Sequence, residues 1–369
     1  MPHEKSAQEP KEFKNSEEVL AEQVPKVLEE REKLGLEGLV GALSAVIINV
    51  EHYHQRAAAE ELLRRTGMRL VGVYGGPHYV TCHFHTGHST DILLRSRRDD
   101  HNPFRPFNDH PKSRALPNTR VETMVFQTRN LDHYVEIQHA RGVKFLTREA
   151  VVTDKYSFIQ TPPSPFTGTS IGLIQWHGHR HDYAASAVTP LHWDLEKPEL
   201  PHLKNVHGID HVALRVEAAH RDRAILEFMG LTNYTFESAI YVESLNSITN
   251  VTRRAHGEAA AVFTSGISPY VDDETSGPTE KYVHNYGARV HHIAFHTEHI
   301  DETFAALKAD GQPFLIELVG SSEEGLKQTF TEPSPETLVV HEYIHRYGHF
   351  SGFFTKSNVT ALTRATGKQ

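Results

Sequence analysis

The sequence predicts an α+β fold made of tandem βαβββ modules, arranged as two open, barrel-like domains with helices outside. Three observations carry this expectation. Residues 121–146 are echoed by residues 290–315, each an alternating apolar strand, a Thr, an acidic-flanked turn, a helix, an Ala-x-Gly helix end and a Phe-Leu pair. His292 stands 169 residues after Thr123, His211 166 after Ala45, and Glu342 167 after Gln175; a near-constant offset indicates tandem duplication. Strand and helix patterns mix throughout with no GxGxxG and no P-loop, so nothing supports a nucleotide-binding parallel sheet.

The elements follow in order. Residues 1–15 are charged and expected to be loose. Ser16 can cap a helix bearing Val19, Leu20, Val24, Val27 and Leu28 on one side, which Pro25 should kink or split. Residues 1–35 thus form an N-terminal extension. The first half, 36–183, predicts a strand over 43–50, a helix over 53–66 and strands near 70–74, 79–85 and 89–94. A polar loop over 97–120 follows, and the strand-helix pattern restarts at Val121. Residues 184–206, with Pro190, Pro198 and Pro201, read as a linker. The second half, 207–369, repeats the order: a strand over 209–216, a helix over 221–229, strands over 234–242, 246–251 and 259–264. A Gly/Pro/Asp-rich loop over 266–273 precedes the last module at Val290.

Composition narrows the function. The chain of 369 residues has one cysteine, Cys82, and so no internal disulfide framework, in keeping with a cytoplasmic protein. A net charge of −9 argues against nucleic acid as a partner. The N-terminus lacks the apolar core of a secretory signal, and the longest apolar run, 38–50, is too short to span a bilayer, so no membrane partner is expected. Histidine is abundant at 28. The clusters His83/His85, His177/His179/His181 and His341/His345/His349 read as partly exposed polar residues.

The residues that differ between the copies are His211, His292 and Glu342, a set able to bind one metal. Strand alternation puts Val212, Leu214 and Val216 on the helix-covered face and His211, Ala213 and Arg215 on the other. Likewise Ile293 and Phe295 take the covered face, and His292, Ala294 and His296 the opposite one. Glu342 shares a face with Leu338, Val340 and Ile344. A carboxylate buried among aliphatics needs a cation or hydrogen-bond donors. Two histidines and one carboxylate are typical of non-haem Fe(II) oxygenases, and zinc chemistry can use the same ligands.

These stretches resemble the 4-hydroxyphenylpyruvate dioxygenase family of the vicinal oxygen chelate superfamily. Asp210-His211-Val212 is similar to its Asp-His-Val, and Val290-His291-His292-Ile293-Ala294 to its Val-Gln-His-Ile-Ala. His341-Glu342-Tyr343-Ile344-His345-Arg346 is similar to its Phe-Glu-x-Ile-x-Arg, and Leu326-Lys327-Gln328-Thr329-Phe330-Thr331 to its Leu-Leu-Gln-Ile-Phe-Thr. Gly352-Phe353, Asn358 and Ala361-Leu362 resemble the start of its C-terminal gating helix. The resemblance implies Fe(II) on His211, His292 and Glu342, with Gln328 bonding the substrate and Ser247 lining the pocket. Phe330 and Phe353 would pack on the substrate or simply fill core.

The implied reaction couples oxidative decarboxylation of a 2-oxo acid by dioxygen to hydroxylation of the same molecule, in a homo-oligomeric enzyme. The alternatives are an extradiol ring-cleaving catechol dioxygenase, a 4-hydroxymandelate synthase-like enzyme, or a non-enzymatic binding protein on the same barrels. The family's Asn-Glu-Pro motif is absent, its Gln is His291, and two of its pocket aromatics are Val340 and Val359. These departures imply a changed side-chain pocket, taking 4-hydroxyphenylpyruvate or a related aryl or aliphatic 2-oxo acid.

Overall fold

The computed structural model describes residues 13–87, 89–348 and 350–369. Most of the loose N-terminal stretch expected over 1–15, and His349, lie outside them. The chain enters through helix α1 (Glu18–Leu34), which runs unbroken past Pro25. The proline's missing N–H costs that helix one internal bond without splitting it.

Four βαβββ modules follow. The first is β1 (Val40–Val50), α2 (Gln55–Arg65), β2 (Arg69–Gly75), β3 (Tyr79–His85) and β4 (Asp91–Arg97). The second is β5 (Arg120–Thr128), α3 (Leu131–Ala140), β6 (Val151–Val152), β7 (Tyr156–Gln160) and β8 (Ser170–Trp176). A short strand β9 (Thr189–Leu191) lies within the expected linker and pairs with β2, giving the first sheet its ninth strand. The third module is β10 (Val206–Arg215), α4 (Arg221–Leu231), β11 (Thr235–Val242), β12 (Ser247–Arg253) and β13 (Ala260–Ser265). Helix α5 (Pro278–Tyr286), not foreseen from the sequence, starts on Pro278, whose fixed φ suits a first helical position. The fourth module is β14 (Arg289–Thr297), α6 (Ile300–Ala309), β15 (Val319–Ser321), β16 (Leu326–Phe330) and β17 (Val340–Arg346), and α7 (Lys356–Ala365) closes the chain.

The two sheets are mixed and curled, with matching order. β1 lies parallel to β4 and antiparallel to β5; β10 lies parallel to β13 and antiparallel to β14. Alternation along these strands divides the side chains. Val46, Ile48, Val212, Leu214, Ile293 and Phe295 join one large core beneath the helices that spans both halves. Ala45, Ile47 and Val125 face the concavity of the first sheet, and Ala213, Ala260 and Val262 that of the second. Phe126 of the first half meets Phe228 and Tyr234 of the second edge to face, with centroids 5.7 and 5.3 Å away.

Contacts between the halves are reciprocal. Arg120 donates to the carbonyl of Ala288 at 3.0 Å, and Arg289 donates to the carbonyl of Thr119 at 2.9 Å. Both guanidinium groups also donate to Asn108 Oδ1, at 3.0 and 2.7 Å. α3 bonds the end of α4 through Tyr134 and Gln138, and the end of α6 bonds the end of α2 through Asp310 and Arg65. No helix among the described residues is long and apolar enough to cross a membrane.

Candidate metal centre

His211, His292 and Glu342 come from β10, β14 and β17, the three central strands of the second sheet. Their side chains turn into the concavity because each occupies the alternation opposite the helix-packed residues. His211 Nε2 lies 3.0 Å from Glu342 Oε2, His292 Nε2 lies 3.1 Å from the same oxygen, and the two ring nitrogens are 3.2 Å apart. Three donor atoms so spaced match one face of an octahedral site with bonds of about 2.1 Å.

Glu342 is 1% exposed, and neither carboxylate oxygen has a hydrogen-bond partner among the described residues. A buried carboxylate whose only close polar neighbours among the described residues are two imidazole nitrogens, neither aligned to hydrogen-bond it, fits a metal ion. Burial would raise the Glu342 carboxyl, but the two imidazoles outweigh it and hold it near 2. Burial would also lower His211; the Glu342 and Asp210 carboxylates overcome it and lift it to about 9. His292 gives way to burial and falls to about 4.

A second ring of contacts fixes the imidazoles. Asp210 Oδ1 lies 2.7 Å from His211 Nδ1, directing His211 Nε2 at the centre. Arg346 bonds Asp210 Oδ2, and against the effect of burial it holds that carboxyl well below its ordinary range. His291 Nδ1 lies 2.8 Å from His292 Nδ1, and His291 Nε2 lies 2.9 Å from Gln369 Oε1. Burial keeps His291 neutral. One tautomer satisfies the chain: His292 donates to His291, which donates to Gln369.

A cavity of about 40 Å³ adjoins the triad, walled by Gln328, Phe330, Arg215, Thr249 and Phe354 together with Val359, Leu362 and Thr363 of α7. Two sequence-predicted contacts thus face it: Gln328, which bonds Asn358 at 3.4 Å, and Phe330, whose ring lies 4.7 Å from His292. Two do not. The Ser247 hydroxyl turns to Thr279 at 3.1 Å, and Thr249 takes the wall position two residues on. Phe353 packs on His211 beneath the Arg346 guanidinium, and its neighbour Phe354 faces the cavity instead.

Strand alternation puts Arg215 on the same face as His211, and it lines the cavity, a position the sequence motifs do not single out. Only 4% exposed, it donates to Thr366 at 2.7 Å and lies over the Tyr282 ring, while its Nη1 has no partner and no carboxylate pairs with it among the described residues. Burial lowers it to about 10, so it stays charged at neutral pH.

The sheet register corrects one pairing. Ala294 is paired with Glu342 between β14 and β17, and Val125, its counterpart, with Gly172 between β5 and β8. The first half's equivalent of Glu342 is therefore Gly172, not Gln175, which instead accepts from the Leu131 N–H at the start of α3. A Cβ on Gly172 would meet Thr123 Cγ2 at 2.9 Å and the Phe158 ring at 3.0 Å, so that position has no room for a side chain.

Compared with solved structures, the chain is similar to a triple mutant of 4-hydroxymandelate synthase from Streptomyces coelicolor, with TM-score 0.66 and 16% identity over 89% of this chain and 99% of that one. It is also similar to a xylose isomerase-like TIM barrel/4-hydroxyphenylpyruvate dioxygenase fusion protein, with TM-score 0.60 and 15% identity over 95% of this chain. That match spans only 57% of the fusion. The sequence matches no family profile and no curated protein.

Proposed function

The fold is the tandem vicinal oxygen chelate fold, and on it we propose an Fe(II)-dependent dioxygenase of a small 2-oxo acid. The observation that carries the reading is the buried triad of His211, His292 and Glu342, whose carboxylate has no other partner. Ferrous iron held there would supply a chelation site for the carboxylate and keto oxygens of a 2-oxo acid and the electrons that activate dioxygen.

The remaining tasks fall to the chain. Asp210 and His291 orient the two imidazoles. Gln328 offers its amide to the substrate and Phe330 an apolar wall. α7 supplies Val359, Leu362 and Thr363 to the cavity wall, and at about 40 Å³ that cavity admits no substrate unless its walls move apart. Arg215 narrows the substrate. A buried guanidinium without a counter-charge is costly, and a second anionic group on the substrate would relieve it. This favours a compact dianionic 2-oxo acid over a bulky aryl one, in keeping with Val340 and Val359 where the family pattern has aromatics.

In the balanced reaction, the substrate loses its carboxylate as carbon dioxide. One oxygen atom enters the new carboxylate at the former keto carbon, and the other converts a C–H bond of the same molecule to C–OH. The test is oxygen uptake and carbon dioxide release by the iron-loaded protein across monoanionic, dianionic and aryl 2-oxo acids. One carbon dioxide per oxygen, fastest with a dianion, is expected. Catechol cleavage without carbon dioxide would overturn the reaction, and preference for 4-hydroxyphenylpyruvate would overturn the substrate class.

A further inference from the structure

The first half lacks the three donors of the second, yet its concavity holds another cluster. We propose that His83, His85 and Asp91 form a second metal site suited to a zinc-type divalent cation, with His181 bonded to its carboxylate. Asp91 opens β4 and is fully buried. It pairs with Ala45, the counterpart of His211, so its carboxylate lies on the concave face one strand from the position that binds metal in the other half.

Four groups converge on this carboxylate. His85 Nδ1 lies 2.6 Å from Oδ1, and His181 Nδ1 lies 2.7 Å from Oδ2. Tyr183 donates its hydroxyl to Oδ2 at 3.0 Å, and His83 Nε2 stands 3.5 Å from the same oxygen. His83 carries the most information. It is 1% exposed, against the sequence expectation of partial exposure, and neither ring nitrogen has a hydrogen-bond partner among the described residues. An imidazole that only filled space would leave two polar atoms unsatisfied in the interior. A cation beside Asp91 would engage the Nε2 that faces it.

The local geometry delivers these donors. His83 and His85 alternate along β3 and so point to one face, towards β4. His181 arrives from the segment after β8, with φ 65 in the left-handed region. Donor atoms of His83, His85 and Asp91 all lie within 4.8 Å of one another. Two imidazoles and one carboxylate supply three positions of a four-coordinate zinc site and leave the fourth for water or for the neighbouring His181, with Tyr183 as the outer partner that orients the carboxylate. The large cavity of this half, about 550 Å³, is lined by Tyr183 and Leu93 but by none of the three donors or His181. The site is therefore structural, tying the segment after β8 to β3 and β4.

The test uses full-length protein stripped of metal, with the other centre disabled by His211→Ala and Glu342→Ala together. This double variant should bind one equivalent of Zn²⁺ and unfold at a higher temperature when it does. Co²⁺ in its place should give the intense visible bands of a tetrahedral ion. Adding Asp91→Asn should abolish binding. Adding His83→Ala, which breaks no hydrogen bond, should weaken Zn²⁺ affinity at least tenfold, since losing even an outer partner of a ligand costs about 10–100-fold. Should Asp91→Asn not fold, the His83→Ala result decides. Absence of Zn²⁺ binding by the double variant, or affinity unchanged by His83→Ala in a folded protein, overturns the proposal.

Discussion

The two halves share one topology and opposite chemistry. In the second, β10, β14 and β17 present His211, His292 and Glu342. In the first, the equivalent positions on β1, β5 and β8 are Ala45, Thr123 and Gly172. Thr123 Oγ1 bonds Gln160 Oε1 at 3.1 Å, and Gln160 occupies the place of Phe330. A polar pair and a missing side chain thus stand where the other half gathers donors, so the shared strand framework does not require donors at these three positions. Helix-side burial supports the framework, and the concave face is left for chemistry.

That contrast can be broken most sharply at the triad. His292→Ala or Glu342→Ala should remove iron and lower oxygen uptake on the order of 10³-fold, whereas Thr123→Ser should leave iron content unchanged, both measured on iron-reconstituted protein. Next is Arg215, whose place on β1 is taken by Asn49. Arg215→Met should raise KM for a dianionic 2-oxo acid on the order of 100-fold with kcat and iron content little changed, and an unchanged KM would remove the guanidinium from substrate recognition.

A smaller effect concerns α5, which intervenes between the modules of the second half. Glu280 accepts from the Gly266 and Ala218 N–H groups, and burial, outweighing those bonds, pushes its carboxyl up to about 7. The folded protein holds that proton while the unfolded chain releases it near 4.5, so this contribution to stability is lost as pH rises from 4.5 through 7. Glu280→Gln should flatten the pH dependence of denaturant unfolding in that window by about 2–3 kcal/mol. The smallest change belongs to the first half. Gly172→Ala should cost about 1–2 kcal/mol by forcing Thr123 and Phe158 apart, visible as a lower melting temperature without loss of iron.

The triad was legible because two independent patterns met on the same residues: strand alternation, and divergence between repeats. The Glu342–Gln175 pairing failed because a constant sequence offset ignores unequal loops, and sheet hydrogen bonds set the true partner three residues earlier. Arg215 sat four residues after His211 on the predicted face, but its significance depends on having no partner, which only packing reveals. His83 and His85 were legible as an alternating pair. Their meaning needed Asp91 from the next strand and His181 from nearly a hundred residues downstream. Strand β9 was hidden by Pro190, which at a sheet edge gives up no needed donor.

The handshake of Arg120 and Arg289 joins the two halves through one side chain. Each grips the carbonyl just before the other, the mark of an isologous contact between identical subunits. At the axis, though, a single amide, Asn108, serves both. One amide oxygen shared by two guanidinium groups ties both halves of the handshake to a single side chain, so Asn108→Ala would weaken both crossings at once and loosen the seam between the halves.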